Sequence, residues 1–71
     1  MSEPTIEITA NGRAHTVRAG CPLDAFLASV GLSPRLVVVE RNRLPLTPAE
    51  AGATTLQDGD VLEIARIVAG G

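Results

Sequence analysis

The groups in this sequence that could do chemistry are few and far apart. Cys21 is the single cysteine, so no disulfide can close within the chain and no cysteine-based zinc site can be completed. It precedes Pro22 at an expected helix start, a position that would suit a persulfide acceptor, although a small cap residue needs no chemical role. His15 is the only histidine; with no second His or Cys at ligand spacing it reads as a hairpin-face residue and not as a metal ligand. Glu7, Glu63, Asp58 and Asp60 lack the pairing that acid-base catalysis requires, and are expected to solvate strand faces and shape a turn.

The remaining candidate is the terminal Gly70-Gly71. Two residues without Cβ form a thin, flexible thread, and Ala69 to Gly71 reach about 10 Å when extended. Such a thread can enter a narrow active site on another protein and place the Gly71 α-carboxylate there. Gly70 is then the slender approach, with Ala69 and Val68 as its neck. No phosphate-binding loop or cofactor fingerprint accompanies it, so the pattern predicts a substrate presented to an enzyme. The bland alternative is a frayed terminus.

Composition points the same way. A chain of 71 residues is one domain, and it buries only about 60% of the surface its unfolded form exposes, which leaves little for a deep catalytic cleft. All six basic residues are arginines, scattered along a chain of net charge −2, and the pI is near 5.1. Nucleic-acid binders need a concentrated basic face, so that class is excluded. The N-terminus has no signal-like apolar region, and the aliphatic run Leu36 to Val39 is too short to span a bilayer, so a soluble, cytoplasmic protein without membrane contact is expected. Phe26 is the only aromatic residue, which leaves base stacking poorly supplied.

The elements that must position the tail are legible from periodicity. Ile6 and Ile8 alternate with Glu7, Asn11-Gly12 suits a type I′ turn, and His15 to Arg18 resumes the alternation, so residues 5 to 18 predict a hairpin. Leu23, Phe26, Leu27 and Val30 share one helical stripe, with Pro22 suited to the first helical position, Asp24 to the dipole and Gly31 to a left-handed close. One amphipathic helix is expected near 22 to 30. Leu36 to Val39 reads as a strand covered on most of both faces and as the best central strand. Thr47-Pro48-Ala49-Glu50 is a capping box predicting one short helical turn that ends near Gly52. Asp58-Gly59-Asp60 is a turn before a last strand, Val61 to Val68, with Leu62 and Ile64 inward.

This order predicts an α+β fold of the β-grasp, ubiquitin-like kind, a mixed sheet of four to five strands around one helix. The first and last strands would lie parallel at the sheet centre. Residues 1–71 form a single domain in this reading, and 68–71 a flexible tail. Strand parity puts Val61, Glu63, Ala65 and Ile67 on the outer face. Ile67, Arg66 and Ala65 are then docking candidates, Ile67 as an apolar contact beside the tail and Arg66 as a partner for an acidic surface.

The Asn11-Gly12 hairpin, the Leu23 to Val30 helix, the Val37-Val38-Val39-Glu40-Arg41-Asn42 strand end, the Leu56-Gln57-Asp58-Gly59-Asp60-Val61 turn and Ile67-Val68-Ala69-Gly70-Gly71 together resemble the ThiS family of thiamine-biosynthesis sulfur carriers. The resemblance covers essentially the whole chain. It implies that a ThiF-type adenylyltransferase uses ATP and magnesium to convert the Gly71 carboxylate into an acyl-adenylate. Sulfur from a persulfide, supplied by a cysteine desulfurase, then yields a thiocarboxylate that the thiazole synthase ThiG consumes. It further implies that this chain binds no cofactor or metal and catalyses nothing with its own side chains. MoaD-like carriers of molybdopterin synthesis end similarly, but tend to be longer and to carry aromatic or proline residues before the ending, where this chain has Ile64-Ala65-Arg66-Ile67. A carrier for another sulfur metabolite, a ubiquitin-like modifier and an interaction module with an idle tail are the remaining alternatives. The absence of lysine weakens the ubiquitin analogy, because no side-chain-linked chains can be built on this protein.

Overall fold

The computed structural model describes residues 3–68. Strand β1 (Thr5–Ala10) and strand β2 (Arg13–Arg18) pair antiparallel from Thr5↔Arg18 to Ala10↔Arg13. Asn11 and Gly12 make the turn with φ of 49° and 80°, the two positive values a type I′ hairpin requires. The hairpin is therefore where the alternation and the Asn-Gly pair place it.

Helix α1 runs from Leu23 to Ser29, with Pro22 as the residue before it and not as its first residue. Leu23, Phe26 and Leu27 are buried, but Val30 is 42% exposed. Val30 sits at the C-cap, past the last full turn, and so points away from the core stripe. Gly31, at φ 80°, donates its N–H to Ala28 while Leu32 donates to Leu27. That pair of bonds is the Schellman closure a left-handed glycine permits.

Strand β3 covers Val37–Arg41 and not Leu36–Val39. Leu36 belongs to a short 3-10 turn, Pro34–Leu36, and is 60% exposed. Val37 and Val39 are buried while Val38 is 55% exposed, so the aliphatic run is covered on one face only. Nor is it the central strand. The sheet order is β2-β1-β5-β3-β4, with β5 (Val61–Arg66) in the middle and β4 only Leu44–Pro45. The sequence reading assigned no strand to β4, because two residues, one of them a proline, give no periodicity.

Strand β5 pairs parallel with β1 and antiparallel with β3, as the expected β-grasp arrangement requires. It ends at Arg66 and not at Val68, because its partner begins at Val37. One last bond, Ile67 N–H to Leu36 O at 2.8 Å, follows.

Helix α2 (Pro48–Gly52) starts from the expected capping box: Thr47 Oγ1 accepts from the Glu50 N–H, and Glu50 Oε1 accepts from the Thr47 N–H. Both helices lie on one side of the sheet. Ile8, Ala10, Val37, Val39 and Leu62 from the strands meet Leu23, Phe26 and Leu27 from α1, with Leu56 closing the core from the loop before β5. Ile64 is only partly buried at the edge of this core. Burying a Leu or Phe side chain contributes about 1.5–3 kcal/mol, so this cluster dominates stability.

Candidate functional site

The site is built outward from β5, the strand leading to the C-terminal residues, and polar side chains from both neighbouring turns hold it. Strand β1 pairs with β5 only at Thr9↔Val61 and Ala10↔Leu62. Beyond that point Asn11 continues the ladder with its side chain: Oδ1 accepts from the Ile64 N–H at 2.7 Å and Nδ2 donates to the Ile64 carbonyl at 3.0 Å. The Asn11 N–H also donates to Leu62 O.

The β3–β4 turn repeats the device. Asn42 and Arg43 have φ of 52° and 70°. The Asn42 N–H donates to Val61 O at 2.8 Å, and its Oδ1 accepts from the Val61 N–H at 2.9 Å. An amide side chain has one acceptor and two donors in one plane, so it can stand in for a strand residue.

Asp60 corrects the sequence reading, because it is 4% exposed and not solvated. Its Oδ2 accepts from the Gln57 N–H at 2.8 Å and from Arg41 Nε at 3.0 Å, while Oδ1 accepts from Asn42 Nδ2 at 3.0 Å. Burial pushes its pKa up, but the Gln57 N–H, the Asn42 amide and the Arg41 guanidinium together outweigh that and hold the carboxyl below its ordinary value. The Asp-Gly-Asp turn was legible; the partners were not, since Arg41 and Asn42 lie far back in the chain.

Asp58 Oδ1 accepts from the Glu7 N–H, which ties the same turn to β1. His15 stacks edge-on against Phe26 with ring centroids 5.1 Å apart. Cys21 is half-buried and its Sγ lies 3.4 Å from Pro22 O. Among the described residues, no group of three or more His, Cys, Asp or Glu side chains is placed to hold a metal ion.

The docking candidates lie in a row on different faces. Ala65 is exposed opposite Val38 on the helix-free face, whereas Arg66 is exposed opposite the buried Val37 at the rim of the helix side. Ile67 is 51% and Val68 85% exposed. Ala69, Gly70 and Gly71, the other tail residues singled out above, lie outside the described residues. Val61 and Glu63 are exposed on the helix-free face, as parity requires. No helix among the described residues is long and apolar enough to cross a membrane.

A mixed sheet wrapped over α1, with parallel first and last strands and the last strand running out to the C-terminal segment, defines a β-grasp domain. The ThiS family model matches residues 3–71, and the chain belongs to the ThiS family. The structure of a thiamine biosynthesis protein (ThiS) from Geobacter metallireducens is similar, with a TM-score of 0.76 at 29% identity, covering 93% of this chain and 100% of that one. A thiazole synthase from Magnetococcus marinus is 35% identical over 66 residues, 93% of this chain. Another from Paramagnetospirillum magneticum is 34% identical over 67 residues. The chain spans about a fifth of the length of these curated relatives, 20% of each.

Proposed function

We propose that this protein is a non-enzymatic sulfur carrier of thiamine biosynthesis in which the Gly71 α-carboxylate is the reactive group. The observation that carries this reading is the family match running through residue 71, on a fold whose central strand leads the chain to that end. A carboxylate is a poor electrophile, because its charge is delocalised and oxide is a poor leaving group. A ThiF-type partner, using ATP and magnesium, joins the carboxylate to AMP with loss of pyrophosphate. The terminal sulfur of a persulfide, charged by a cysteine desulfurase, then displaces AMP, and a thiol cleaves the resulting S–S bond to leave a thiocarboxylate. That sulfur is nucleophilic, and thiazole synthase takes it.

Two relatives named thiazole synthase contain a region like this chain within one longer polypeptide, which supports a thiazole synthase as the client. Joining two modules in one polypeptide raises their effective concentration. Ile67, Arg66 and Ala65 are the contacts nearest the tail, while Val68, Ala69 and Gly70 enter the partner's site. The proposal places the carrier in the cytoplasm together with these partners.

Intact-mass spectrometry tests the proposal. Incubation with the adenylating enzyme, ATP, magnesium and a persulfide source should exchange one oxygen for sulfur at Gly71. A chain lacking Gly71 that still acquired the sulfur would overturn it.

A further inference from the structure

The edge of β3 that faces away from β5 leaves backbone groups unpaired beside an apolar groove. The bonds Ile67 N–H to Leu36 O and Asn42 N–H to Val61 O lie at either end of a ladder that pairs Val38 with Ala65 and Glu40 with Glu63. Alternation along an antiparallel pair then turns the backbone groups of Val38 and Glu40 toward β5, and those of Val37, Val39 and Arg41 toward β4. Strand β4 covers only part of that edge. It pairs at Glu40↔Pro45 and Arg41↔Leu44, Leu46 N–H donates to Val39 O at 2.9 Å, and the chain then turns away through Thr47 into α2. Among the described residues, Val37 C=O and Val39 N–H make no hydrogen bond, although Val37 and Val39 are only 8% and 5% exposed.

Both valines line a groove of about 410 Å³, together with Leu27 of α1, Ala51 of α2, Leu46 and the half-exposed Ile67. Asp24 lines it too, and its Oδ1 is buried without a hydrogen-bond partner. Buried polar groups are rarely left unpaired, because each then costs its full desolvation. One donor and two acceptors stand unpaired along this one apolar groove. The C=O of one residue and the N–H of the residue two further on are the groups that a single residue of a parallel neighbouring strand engages. A buried carboxylate oxygen calls for a donor, and a cationic donor makes the strongest bond to it.

We infer that this groove receives an extended peptide segment of a partner protein, added parallel to β3 and carrying one basic side chain. One residue of the segment donates its N–H to Val37 C=O and accepts from Val39 N–H. An apolar side chain of the segment packs against Leu27, Leu46 and Ala51, and the lysine or arginine bonds Asp24 Oδ1. Strand addition of this kind takes its affinity from main-chain bonds and its specificity from the pockets that receive side chains. Because Ile67 borders the groove, the bound segment lies beside the residues that lead to Gly71. Its binding does not depend on sulfur reaching that residue.

The test titrates the full, isotope-labelled chain with a blocked hexapeptide alternating valine and arginine, up to about 1 mM, and follows its amide signals. The Val39 amide should shift, and its hydrogen exchange should slow by about tenfold at saturation. A peptide with glutamate in place of arginine should bind about tenfold more weakly. Asp24→Asn should narrow that difference by at least about threefold while the chain still melts cooperatively. Ala51→Leu, which fills the groove from α2, should weaken the arginine peptide by about tenfold. No binding at about 1 mM, binding that leaves the Val39 amide unmoved, or equal affinity for the two peptides would overturn the inference. So would a Val39 amide that shifts when the free chain is diluted or shortened to Val68, since the groove would then hold a second copy or the chain's own C-terminal residues.

Discussion

Replacing Asp60 with alanine removes the acceptor for the Gln57 N–H, Arg41 Nε and Asn42 Nδ2. All three bonds end on an ionised carboxylate and contribute about 1.5–3 kcal/mol each, so the gross loss is about 4.5–9 kcal/mol. Removing the carboxylate also returns the cost of burying its charge, the largest opposing effect on this group, and the Arg41 side chain is 28% exposed and regains water, so the expected net loss is about 3 kcal/mol. A domain of this size has about 4–10 kcal/mol in total, which makes that a large fraction. Tm should fall by about 12–24 °C.

Asp60→Asn separates charge from shape. One oxygen can still serve Gln57 and Arg41, but the new amide then faces the Asn42 amide, so about 1.5 kcal/mol should be lost. The pH dependence supplies a second readout. The folded-state pKa of Asp60 lies below the ordinary 3.8; between those values the unfolded chain binds more protons, so stability rises with pH there. This contribution is complete above 3.8 and is lost as pH falls through the folded value. Urea titrations of parent and Asp60→Asn between about pH 2 and pH 6 should therefore show a steeper acid limb in the parent. Parallel acid limbs, or an alanine variant losing less than about 1 kcal/mol, would refute this account of Asp60.

Asn11→Gly keeps the positive φ but removes both side-chain bonds to Ile64; it should cost about 1–2 kcal/mol and speed hydrogen exchange at the Ile64 amide specifically. Gly31→Ala meets no atom within 4 Å, so its cost should be conformational only, about 1 kcal/mol in chemical denaturation. Ile67→Ser, at a half-exposed position, should leave Tm within about 2 °C of the parent yet weaken binding to the adenylating enzyme, as calorimetry would show. Cys21→Ser should acquire sulfur at the parent's rate in the mass assay, since the proposed chemistry runs on Gly71.

Features held by near neighbours could be read directly. The Asn11-Gly12 turn, the Thr47–Glu50 capping box and the Gly31 closure are satisfied within a few residues, so local residue types are enough to call them. Strand limits were less accessible. Leu36 and Val37 are both aliphatic, yet one is exposed in a turn and the other buried, because the start of β3 depends on where β5 passes. The β3–β4 hairpin was missed although Asn42 occupies the same turn position as Asn11; its strand is too short to show a period.

The sequence by itself determined the β-grasp order, the parallel first and last strands and the glycine-ended C-terminal segment, because helix and strand periods and turn residues are local properties. Only the tertiary structure decided that the Val37–Val39 run lies off the sheet centre and is covered on one face alone. It alone buried Asp60 against Arg41 and Asn42, and set Glu40 opposite Glu63. Those pairings join residues about 20 positions apart, and only strand register, which long-range packing sets, brings such groups into contact.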